Sequence, residues 1–227
     1  MKILCFIPAR KNSKGIKNKN LTKLKNKPLI YYTLKTSKQL KNVYRFLSTD
    51  SKKIKNYADR YLKNKIDYLR PSKIAKDNSS LYLAIKHGLD WLKKNKSLEF
   101  DAILVLQPTT PVRKISDINK AIKLFKNKKI SSLVSVVKMK EHPYECIELT
   151  NNKWSYIKKS KKKNISGRQQ YKNNFYFIDG GFYIVKTDFY LKYKTLTKEN
   201  ITKFYIQKKW PIDIDYNDDL KVAEAFL

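Results

Sequence analysis

The chain has 227 residues with 41% hydrophobic content, which is enough to bury the core of one domain. Its formal charge of +32 comes mainly from lysines that are spread along the whole sequence. Clustered cations favour nucleic acids, but these are dispersed, and no zinc-finger spacing, RNA-recognition signature or basic tail accompanies them. No specific nucleic-acid partner is therefore expected.

The cysteines and the apolar runs indicate the compartment. Cys5 and Cys146 are too few and too far apart for a disulfide framework or a Cys-x-x-Cys metal site, which favours a reducing environment. The apolar run after Lys2 is too short for the core of a signal peptide, and no stretch approaches the roughly 18 apolar residues that cross a membrane. We therefore predict a cytoplasmic protein without a membrane partner.

Short apolar runs alternate with amphipathic segments along the chain. Strands are predicted at residues 3–7, 43–48, 66–69, 102–106, 133–137 and 182–185. Helices are predicted at residues 28–40 and 54–62, from a cap at Asp77 or Asn78 to residue 92, at residues 116–125, and over the last residues from Leu220. Repeated β-α units predict a single α/β domain over residues 1–227 with a doubly wound, mostly parallel, Rossmann-like sheet.

The alternation breaks between residues 139 and 177. Trp154, Tyr156 and Ile157 lie there in a polar stretch without a helical period, so we predict a small hairpin excursion. Isolated hairpins are marginally stable in water, and exposed aromatic residues on one indicate a surface that packs against another subunit. The excursion therefore predicts a homodimer.

A cationic turn follows the first predicted strand. Residues 7–20 read Ile-Pro-Ala-Arg-Lys-Asn-Ser-Lys-Gly-Ile-Lys-Asn-Lys-Asn, and the carboxyl end of a buried parallel strand is where α/β proteins bind ligands. Arg10, Lys14 and Lys19 would surround a triphosphate there. The turn matches neither the lysine-containing phosphate loop nor Gly-x-Gly-x-x-Gly, and only Gly15 is available, so charged side chains must replace backbone amides. A chance placement of lysines in a lysine-rich chain is the other interpretation.

Two carboxylates near the end of the chain form the candidate metal site. Asp213 and Asp215 alternate with Ile212 and Ile214, so on an extended segment both carboxylates face one side. Magnesium is typically held by one or two carboxylates together with substrate phosphates. We therefore predict a Mg²⁺ site at Asp213 and Asp215, although a solvated edge strand would have the same alternation.

A rigid loop follows the predicted strand at residues 102–106. It reads Gln107-Pro108-Thr109-Thr110-Pro111-Val112-Arg113, and its prolines fix the backbone at the carboxyl end of the strand. Its polar side chains would line the same cleft, although a purely structural proline turn is also compatible with the sequence.

These motifs resemble one family. The turn is similar to the Ala-Arg-x-x-Ser-Lys-x-x-x-x-Lys-Asn signature of sugar-activating cytidylyltransferases, which is matched by Ala9, Arg10, Ser13, Lys14, Lys19 and Asn20. The loop resembles the Gln-Pro-Thr-Ser-Pro-Leu-Arg of enzymes that activate sialic acids, and Arg168 and Gln169 resemble their Arg-Gln pair. With the Ile-Asp-Ile-Asp segment, the resemblance to the acylneuraminate cytidylyltransferase (CMP-sialic acid synthetase) family runs nearly end to end.

The resemblance implies a nucleotidyltransferase that moves CMP from CTP to the anomeric hydroxyl of a nine-carbon 2-keto sugar acid and releases pyrophosphate. The catalytic residues implied are Arg10, Lys19, Asp213 and Asp215, the last two as Mg²⁺ ligands. The nucleotide-binding residues implied are Ala9, Arg10, Ser13, Lys14, Lys19, Asn20, Arg70 and Ser80. The sugar-binding residues implied are Gln107, Arg168 and Gln169, with residues 139–177 as a dimerisation and sugar-contact excursion. No general base is identified.

Departures from the family pattern leave the sugar open. Phe177-Ile178-Asp179-Gly180 stands where members using N-acetylneuraminate commonly have Arg-Pro-Asn-Gly, and Glu145 stands where a lysine follows His-Pro in some relatives. Legionaminate and pseudaminate therefore remain alternatives to N-acetylneuraminate. A nucleotidyltransferase acting on a sugar 1-phosphate is disfavoured by the Arg168-Gln169 pair, because that pair predicts a carboxylate on the substrate. Arg168 alone is equally compatible with a surface arginine, and an inactive protein that binds polyanions is the further alternative.

Overall fold

The computed structural model of the protein describes residues 1–13, 15–65, 67–127, 129–151, 153–158, 174–208 and 212–227. Its strands are β1 (Ile3–Pro8), β2 (Lys23–Leu24), β3 (Lys27–Pro28), β4 (Val43–Ser48), β5 (Ala102–Val105), β6 (Ser132–Lys138), β7 (Ile147–Thr150), β8 (Lys153–Tyr156), β9 (Tyr176–Lys186) and β10 (Lys203–Ile206). Its helices are α1 (Leu29–Gln39), α2 (Lys52–Leu62), α3 (Leu81–Lys96), α4 (Ile115–Asn127), α5 (Thr187–Tyr193) and α6 (Asn217–Ala225). No helix in these ranges is long and apolar enough to cross a membrane.

The central sheet is mostly parallel. Within the described residues it has six strands in the order β10-β6-β9-β5-β1-β4. Strand β1 pairs in parallel with β4 and β5, and β10 pairs in parallel with β6, whereas β9 is antiparallel to both of its neighbours. The predicted mostly parallel α/β sheet is confirmed. The carboxyl ends of β1, β4, β5 and β6 consequently meet at one edge, where ligands of such sheets bind.

Both faces of the sheet are covered by helices, because its buried strands are apolar on both sides. Ile3, Cys5 and Ile7 of β1 pack into one core cluster with α1, α2 and α4. Leu4 and Phe6 of the same strand point the other way, into a cluster with α3 and α5. Alternate residues of β1 therefore belong to the cores on opposite faces of the sheet. The predicted doubly wound architecture is confirmed.

A third, smaller core positions the two ends of the chain. Ile16 from the turn after β1 and Leu24 of β2 are buried against Ile212, Ile214 and the C-terminal helix α6. Residues that are far apart in sequence thus share one apolar contact. This core places the segment that carries Asp213 and Asp215 beside the cationic turn.

The predicted strand at residues 66–69 is wrong for the residues that can be assessed. Ile66 lies outside the described residues, and residues 67–69 form no strand. The segment runs beside the edge strand β4 with a backbone hydrogen bond from Arg70 N to Thr49 O of 2.8 Å. Tyr68 packs its ring on Phe46 at 4.7 Å between centroids. The ring of Tyr68 is therefore explained by its packing against β4 and not by strand pairing.

The predicted hairpin excursion is confirmed by β7 and β8, which pair antiparallel from Ile147 opposite Tyr156 to Thr150 opposite Lys153. Its role in dimerisation stays a prediction.

Other elements differ from the prediction at their ends or were not predicted. Strand β9 begins at residue 176, earlier than the predicted strand at 182–185, and α5 and β10 were not predicted. Helix α3 begins after Ser80, whose Oγ accepts a hydrogen bond from Leu83 N at 3.4 Å, rather than after Asp77 or Asn78.

Candidate active site

A cavity of about 450 Å³ opens at the carboxyl edge of the sheet. It brings together residues from the turn after β1, the loop before α3, the loop after β5 and the segment before α6. The site residues predicted from the sequence that line it are Arg10, Ser13, Lys19, Asn20, Arg70, Ser80, Gln107 and Asp215. Residues implied for the nucleotide, the sugar and the metal therefore share one cavity.

The turn after β1 is held by its own backbone contacts. Ala9 is fully buried, and its N–H donates to Ser48 O at 2.9 Å. The Asn20 side chain is buried and donates from Nδ2 to Arg10 O at 2.8 Å, and Asn18 takes a left-handed φ of 54°. Asparagine tolerates that region better than most residues. Ala9 and Asn20 therefore fix the shape of the turn, and Ala9 is not among the residues that line the cavity.

Gly15 allows this turn to approach residues 212–215 closely. These residues carry the predicted metal ligands Asp213 and Asp215 and are called the metal segment below. A Cβ atom built on Gly15 would lie 2.1 Å from the carbonyl oxygen of Asp215. No side chain can occupy that position without displacing backbone. The glycine is therefore required for a close approach of two chain segments.

Lys19 joins the turn to the metal segment. Its side chain is only 7% exposed, and Nζ donates to Ile214 O at 2.6 Å and to Asp215 Oδ1 at 2.8 Å. The Asp215 side chain is 65% exposed. The ammonium group therefore lies at the cavity wall, bound to a predicted metal ligand, and any phosphate that it neutralised would share it with Asp215.

Arg10 spans the cavity towards the loop before α3. Its Nη1 lies 2.7 Å from Asp77 Oδ1 and donates to Lys76 O at 3.3 Å. The Arg10 side chain is 30% exposed, so the ion pair is accessible to solvent and to anions. A phosphate that binds Arg10 must compete with Asp77 for the guanidinium.

Arg70 and the N-terminus of α3 make a second positive wall. Arg70 is buried and donates from Nη2 to Ser48 O, and within the described residues its Nε is buried without a hydrogen-bond partner. Burial lowers the pKa of the Arg70 guanidinium. Ser79 and Ser80 at the start of the 16-residue helix α3 line the same cavity. Free amide groups and the helix dipole favour anions at such a terminus.

Asp213 and Asp215 lie on the exposed side of their segment, because Ile212 and Ile214 are buried in the third core. The predicted alternation is confirmed, although no ladder pairing forms there. Thr110 Oγ1 lies 3.5 Å from Asp213 Oδ1, and Ile214 N donates to Thr109 O at 2.7 Å. Asp213 is therefore set against the loop after β5.

This carboxylate pair fits the chemistry of Mg²⁺. Carboxylate oxygens are hard ligands, and Mg²⁺ commonly takes one or two of them with phosphate and water oxygens. Across the described ranges, no group of three or more His, Cys, Asp or Glu side chains could hold a metal ion. An ion bound by Asp213 and Asp215 would thus draw its other ligands from a nucleotide and from water.

A family model described as cytidylyltransferase matches residues 4–226. The chain belongs to the cytidylyltransferase family. The family expected from the motifs is thereby confirmed, and it is a family of nucleotidyltransferases.

Curated relatives match this cytidylyltransferase along almost its whole length. It is 30% identical over 229 residues to the post-translational flagellin modification protein B of Campylobacter coli. That match covers 99% of this chain and 94% of the relative. It is also 30% identical to the CMP-N,N'-diacetyllegionaminic acid synthase of Campylobacter jejuni, with the same coverage of 99% and 94%. A solved structure of CMP:2-keto-3-deoxy-manno-octonic acid synthetase complexed with CTP has a TM-score of 0.69 at 15% identity, covering 99% and 98% of the two chains. That likeness shows the shared fold.

Some predicted site residues of the cytidylyltransferase cannot be placed. Lys14, Arg168 and Gln169 lie outside the described residues, so their roles stay predictions. Gln107 is half-buried on the cavity wall next to Pro108 and Thr109. Of the residues implied for the sugar, Gln107 alone falls within the part of the chain that the structure describes.

Sequence reasoning missed other residues of the cytidylyltransferase site. Asp77 was considered as a helix cap and was given no role in the site, yet it pairs with Arg10. Thr110 and Arg113 belong to a quoted motif but had no assigned role, and both make contacts that hold the site. A signal for Arg113 was available: in a chain whose positive charge comes mainly from lysine, an arginine at a loop end indicates a position that needs the guanidinium fork.

Proposed function

We propose that this cytidylyltransferase transfers CMP from CTP to the anomeric hydroxyl of a nine-carbon 2-keto sugar acid. The sugar oxygen forms a bond to the α-phosphorus, the bond from that phosphorus to the β-phosphate oxygen breaks, pyrophosphate leaves, and the hydroxyl proton is released. The observation that carries this proposal is the shared cavity, in which Arg10, Lys19 and Asp215 stand with Gln107.

The nucleotide half of the cavity is positively charged. Arg10, Lys19 and the buried Arg70 lie around it, and the N-terminus of α3 opens into it. Fixed cations and helix amides stabilise charge as it moves towards the leaving pyrophosphate without needing to reorganise. In our proposal these groups bind the triphosphate and orient the α-phosphorus towards the sugar.

Mg²⁺ is proposed as the cofactor, held by Asp213 and Asp215. When bound, it would neutralise phosphate oxygens of CTP. The residues of the chain have two further roles. Lys19 balances the charge of Asp215 from within the protein, and the buried isoleucines keep both carboxylates on the exposed side of their segment, where Asp215 lines the cavity.

The acceptor is proposed to be a sugar acid, with N,N'-diacetyllegionaminic acid as the first candidate. A relative that covers 99% of this chain is named as the synthase of its CMP derivative. Gln107 supplies an amide for sugar hydroxyls, and Arg168 with Gln169 is proposed to bind the substrate carboxylate, because a guanidinium fork matches a carboxylate. Since CTP is a cytoplasmic nucleotide, we place the reaction in the cytoplasm.

A second copy of the chain is proposed to cover the hairpin. Opposed pairs Ile147–Tyr156 and Leu149–Trp154 put four apolar side chains on one face of the hairpin, and all four are exposed, Leu149 by 72%. The other face carries the polar pair Glu148–Ser155. Such an apolar face on a two-stranded hairpin needs a partner for stability. Residues 139–177 are thus proposed as a dimerisation and sugar-contact excursion of one domain.

Mass measurement in solution tests the dimer. We expect the wild-type protein to be a dimer and Trp154→Lys to give monomers, whereas Ser155→Lys on the polar face of the hairpin should leave the dimer intact. A wild-type monomer at high concentration, or equal behaviour of the two variants, would contradict the proposed interface.

Pyrophosphate release tests the reaction. The purified protein with Mg²⁺ is offered each nucleoside triphosphate in combination with N,N'-diacetyllegionaminate, N-acetylneuraminate, pseudaminate or a hexose 1-phosphate. We expect turnover with CTP and one sugar acid only. Turnover with the hexose 1-phosphate would replace the proposed acceptor, and a folded protein that turns over none of these combinations would refute the proposal.

A further inference from the structure

The loop between β5 and α4, residues 107–113, contacts Asp213 and Ile214 of the metal segment. Thr110 is fully buried in it, and the Thr110 hydroxyl donates to Gly180 O at 3.2 Å. The same oxygen lies 3.5 Å from Oδ1 of Asp213. A hydroxyl has one hydrogen, so Thr110 can donate to the carbonyl or to the carboxylate but not to both at once.

Gly180 leaves room for this contact. It has a φ of +69°, and a Cβ atom placed on it would lie 3.1 Å from Thr110 Oγ1 and 3.9 Å from Asp213 Oδ2. The Thr110 hydroxyl therefore lies between the main chain of β9 at Gly180 and the carboxylate of Asp213. The neighbouring bond from Ile214 N to Thr109 O, at 2.7 Å, holds the next residue of the metal segment against the same loop.

Arg113 fixes the loop from its other end. The guanidinium donates from Nε to Gly181 O and from Nη2 to Gln107 O, both at 2.5 Å, and from Nη1 to Thr33 Oγ1 at 3.0 Å. These bonds join the loop to β9 and to α1. Of the first two acceptors, Gln107 lines the cavity.

The Arg113 guanidinium remains a cation at neutral pH despite its position. Burial lowers its pKa to about 10, while Cys5, Asp213 and Asp179 act in the opposite direction. Its positive charge is therefore kept inside the protein, where Asp213 and Asp179 favour it. A lysine at this position would keep the charge but could not make three hydrogen bonds in fixed directions.

We propose that Thr110 and Arg113 are positioning residues: Thr110 sets the position of the Asp213 carboxylate, and Arg113 fixes the loop that carries both Thr110 and Gln107. Neither residue needs to contact a substrate. The loop then couples the metal side of the cavity to the sugar side, and this deepens the proposed function, on which its kinetic part rests.

Binding of Mn²⁺ to the full-length protein with CTP, measured by electron paramagnetic resonance in the absence of sugar acid, tests Thr110. Thr110→Val keeps the shape of the side chain and removes the hydroxyl, and we expect Mn²⁺ to bind at least five-fold more weakly. Thr110→Ser restores the hydroxyl and should recover most of the affinity. Thr187→Val is the matched control, because it breaks a comparable bond from Thr187 Oγ1 to Phe100 O of 2.7 Å at the other end of the sheet.

The steady-state constants test Arg113. At saturating Mg²⁺, we expect Arg113→Lys to raise KM for the sugar acid about ten-fold and to change KM for CTP less than two-fold, because Gln107 loses its main-chain anchor. The same variant should weaken Mn²⁺ binding, so it also tests the inference if Thr110→Val fails to fold.

The outcomes separate the positioning role from simple stability. If Thr110→Val and Thr187→Val lower the unfolding temperature alike and both bind Mn²⁺ like the wild type, Thr110 is structural and the inference is overturned. A Thr110→Ser variant as impaired as Thr110→Val overturns it as well, and so does an Arg113→Lys variant with normal Mn²⁺ affinity. If the wild type uses no sugar acid and Mn²⁺ affinity still falls in Thr110→Val, the proposed acceptor fails while the positioning role stands.

Discussion

The ammonium group of Lys19 lies 2.8 Å from the carboxylate of Asp215, a residue 196 positions further along the chain. The same group donates to the carbonyl of Ile214 at 2.6 Å. The cationic turn and the metal segment are therefore one structural unit, and a change in either one alters the position and the charge of the other.

Lys19→Met should reduce both stability and turnover. The variant lacks the ammonium group, so the buried carbonyl of Ile214 loses its hydrogen-bond donor. We expect this loss to lower the free energy of unfolding by about 1–3 kcal/mol. Loss of a fixed cation at the phosphates should lower kcat by about two orders of magnitude. Denaturant unfolding and pyrophosphate release measure the two effects. Exposed Lys17 supplies the control, and a Lys17→Met variant with the same losses would contradict the assignment.

Asp213→Asn and Asp215→Asn should each lower turnover at least about 100-fold while the protein stays folded. The proposed Mg²⁺ would need the charge of both carboxylates, whereas exposed carboxylates contribute little to stability. Turnover and thermal unfolding are compared with Asp218→Asn, whose carboxylate is 89% exposed and pairs with Lys221 at 3.2 Å. Near-normal activity in either of the first two variants would exclude that residue as a metal ligand.

Gly15→Ala should damage activity more than folding. The new Cβ would meet Asp215 O at 2.1 Å and push the turn away from the metal segment. A displacement of about 1 Å in an active site can cost roughly 100-fold in rate. We expect a loss of that order in kcat/KM for CTP with a small change in unfolding temperature.

Gly88→Ala is the matched comparison for Gly15→Ala. Its Cβ would lie 2.9 Å from the ring of Phe6 and 3.0 Å from that of Phe46, inside the core. Overpacking there should cost about 1–3 kcal/mol of stability and leave the kinetics of the folded enzyme intact. If both alanine variants lose stability equally and neither changes kcat/KM for CTP, Gly15 has no specific role in the site.

Asp77→Asn should strengthen CTP binding. The 2.7 Å ion pair of Asp77 with Arg10 competes with phosphate for the guanidinium, and partly exposed pairs contribute up to about 1 kcal/mol. Removing the charge should lower Kd for CTP by up to about five-fold in isothermal titration calorimetry. Asp90→Asn, which breaks the exposed pair with Lys86, should leave the affinity unchanged. Weaker binding in Asp77→Asn would mean that Asp77 orients Arg10 for the phosphate.

His87 should make the protein less stable in mild acid. Its Nδ1 lies 3.1 Å from Tyr68 Oη, and burial lowers the pKa of His87 below 6.5, with Asp90 opposing and Lys73, Arg70 and Lys86 adding to the shift. The unfolded chain then takes up the proton more readily than the folded one. Stability is therefore complete above about pH 6.5 and falls as the pH drops through the folded pKa.

The His87→Gln variant checks this pH dependence. We expect its unfolding temperature to fall less between pH 7.5 and pH 5.5 than that of the wild-type protein. Equal slopes for the two proteins would show that His87 does not contribute to the acid sensitivity.

The sequence predicted the interior of the fold better than its margins. Strands β1, β5 and β6 were found because strands buried on both faces are short apolar runs. Strand β4 was also found, although it is an edge strand whose residues are mostly only partly buried. Strand β10 was missed because Lys203 and the other residues of an edge strand remain largely exposed. The start of α3 was placed too early because Asp77 is as good a capping residue as Ser80, and only tertiary structure shows that Asp77 pairs with Arg10.

The candidate site was predicted as a set of residues but not as a set of contacts. Spacing placed Asp213 and Asp215 on one face, and the buried isoleucines confirm it. Spacing could not show that Lys19 bonds to Asp215, that Gly15 is needed for close packing, or that Arg113 joins the loop to β9. These contacts connect segments distant in sequence, so they depend on the packing of the third core.

Among the described strands of the sheet, β9 alone is antiparallel to its neighbours, and this determines how the excursion is attached. Because β9 is antiparallel to β6, Lys138 at the end of β6 lies opposite Tyr176 at the start of β9. The chain therefore leaves the sheet and returns to it at neighbouring points on the carboxyl edge. A segment attached in this way can change in length or sequence without shifting the register of either strand. During evolution, or in a designed chimera, residues 139–175 could therefore be exchanged as a unit while the pairing of β6 with β9 is kept.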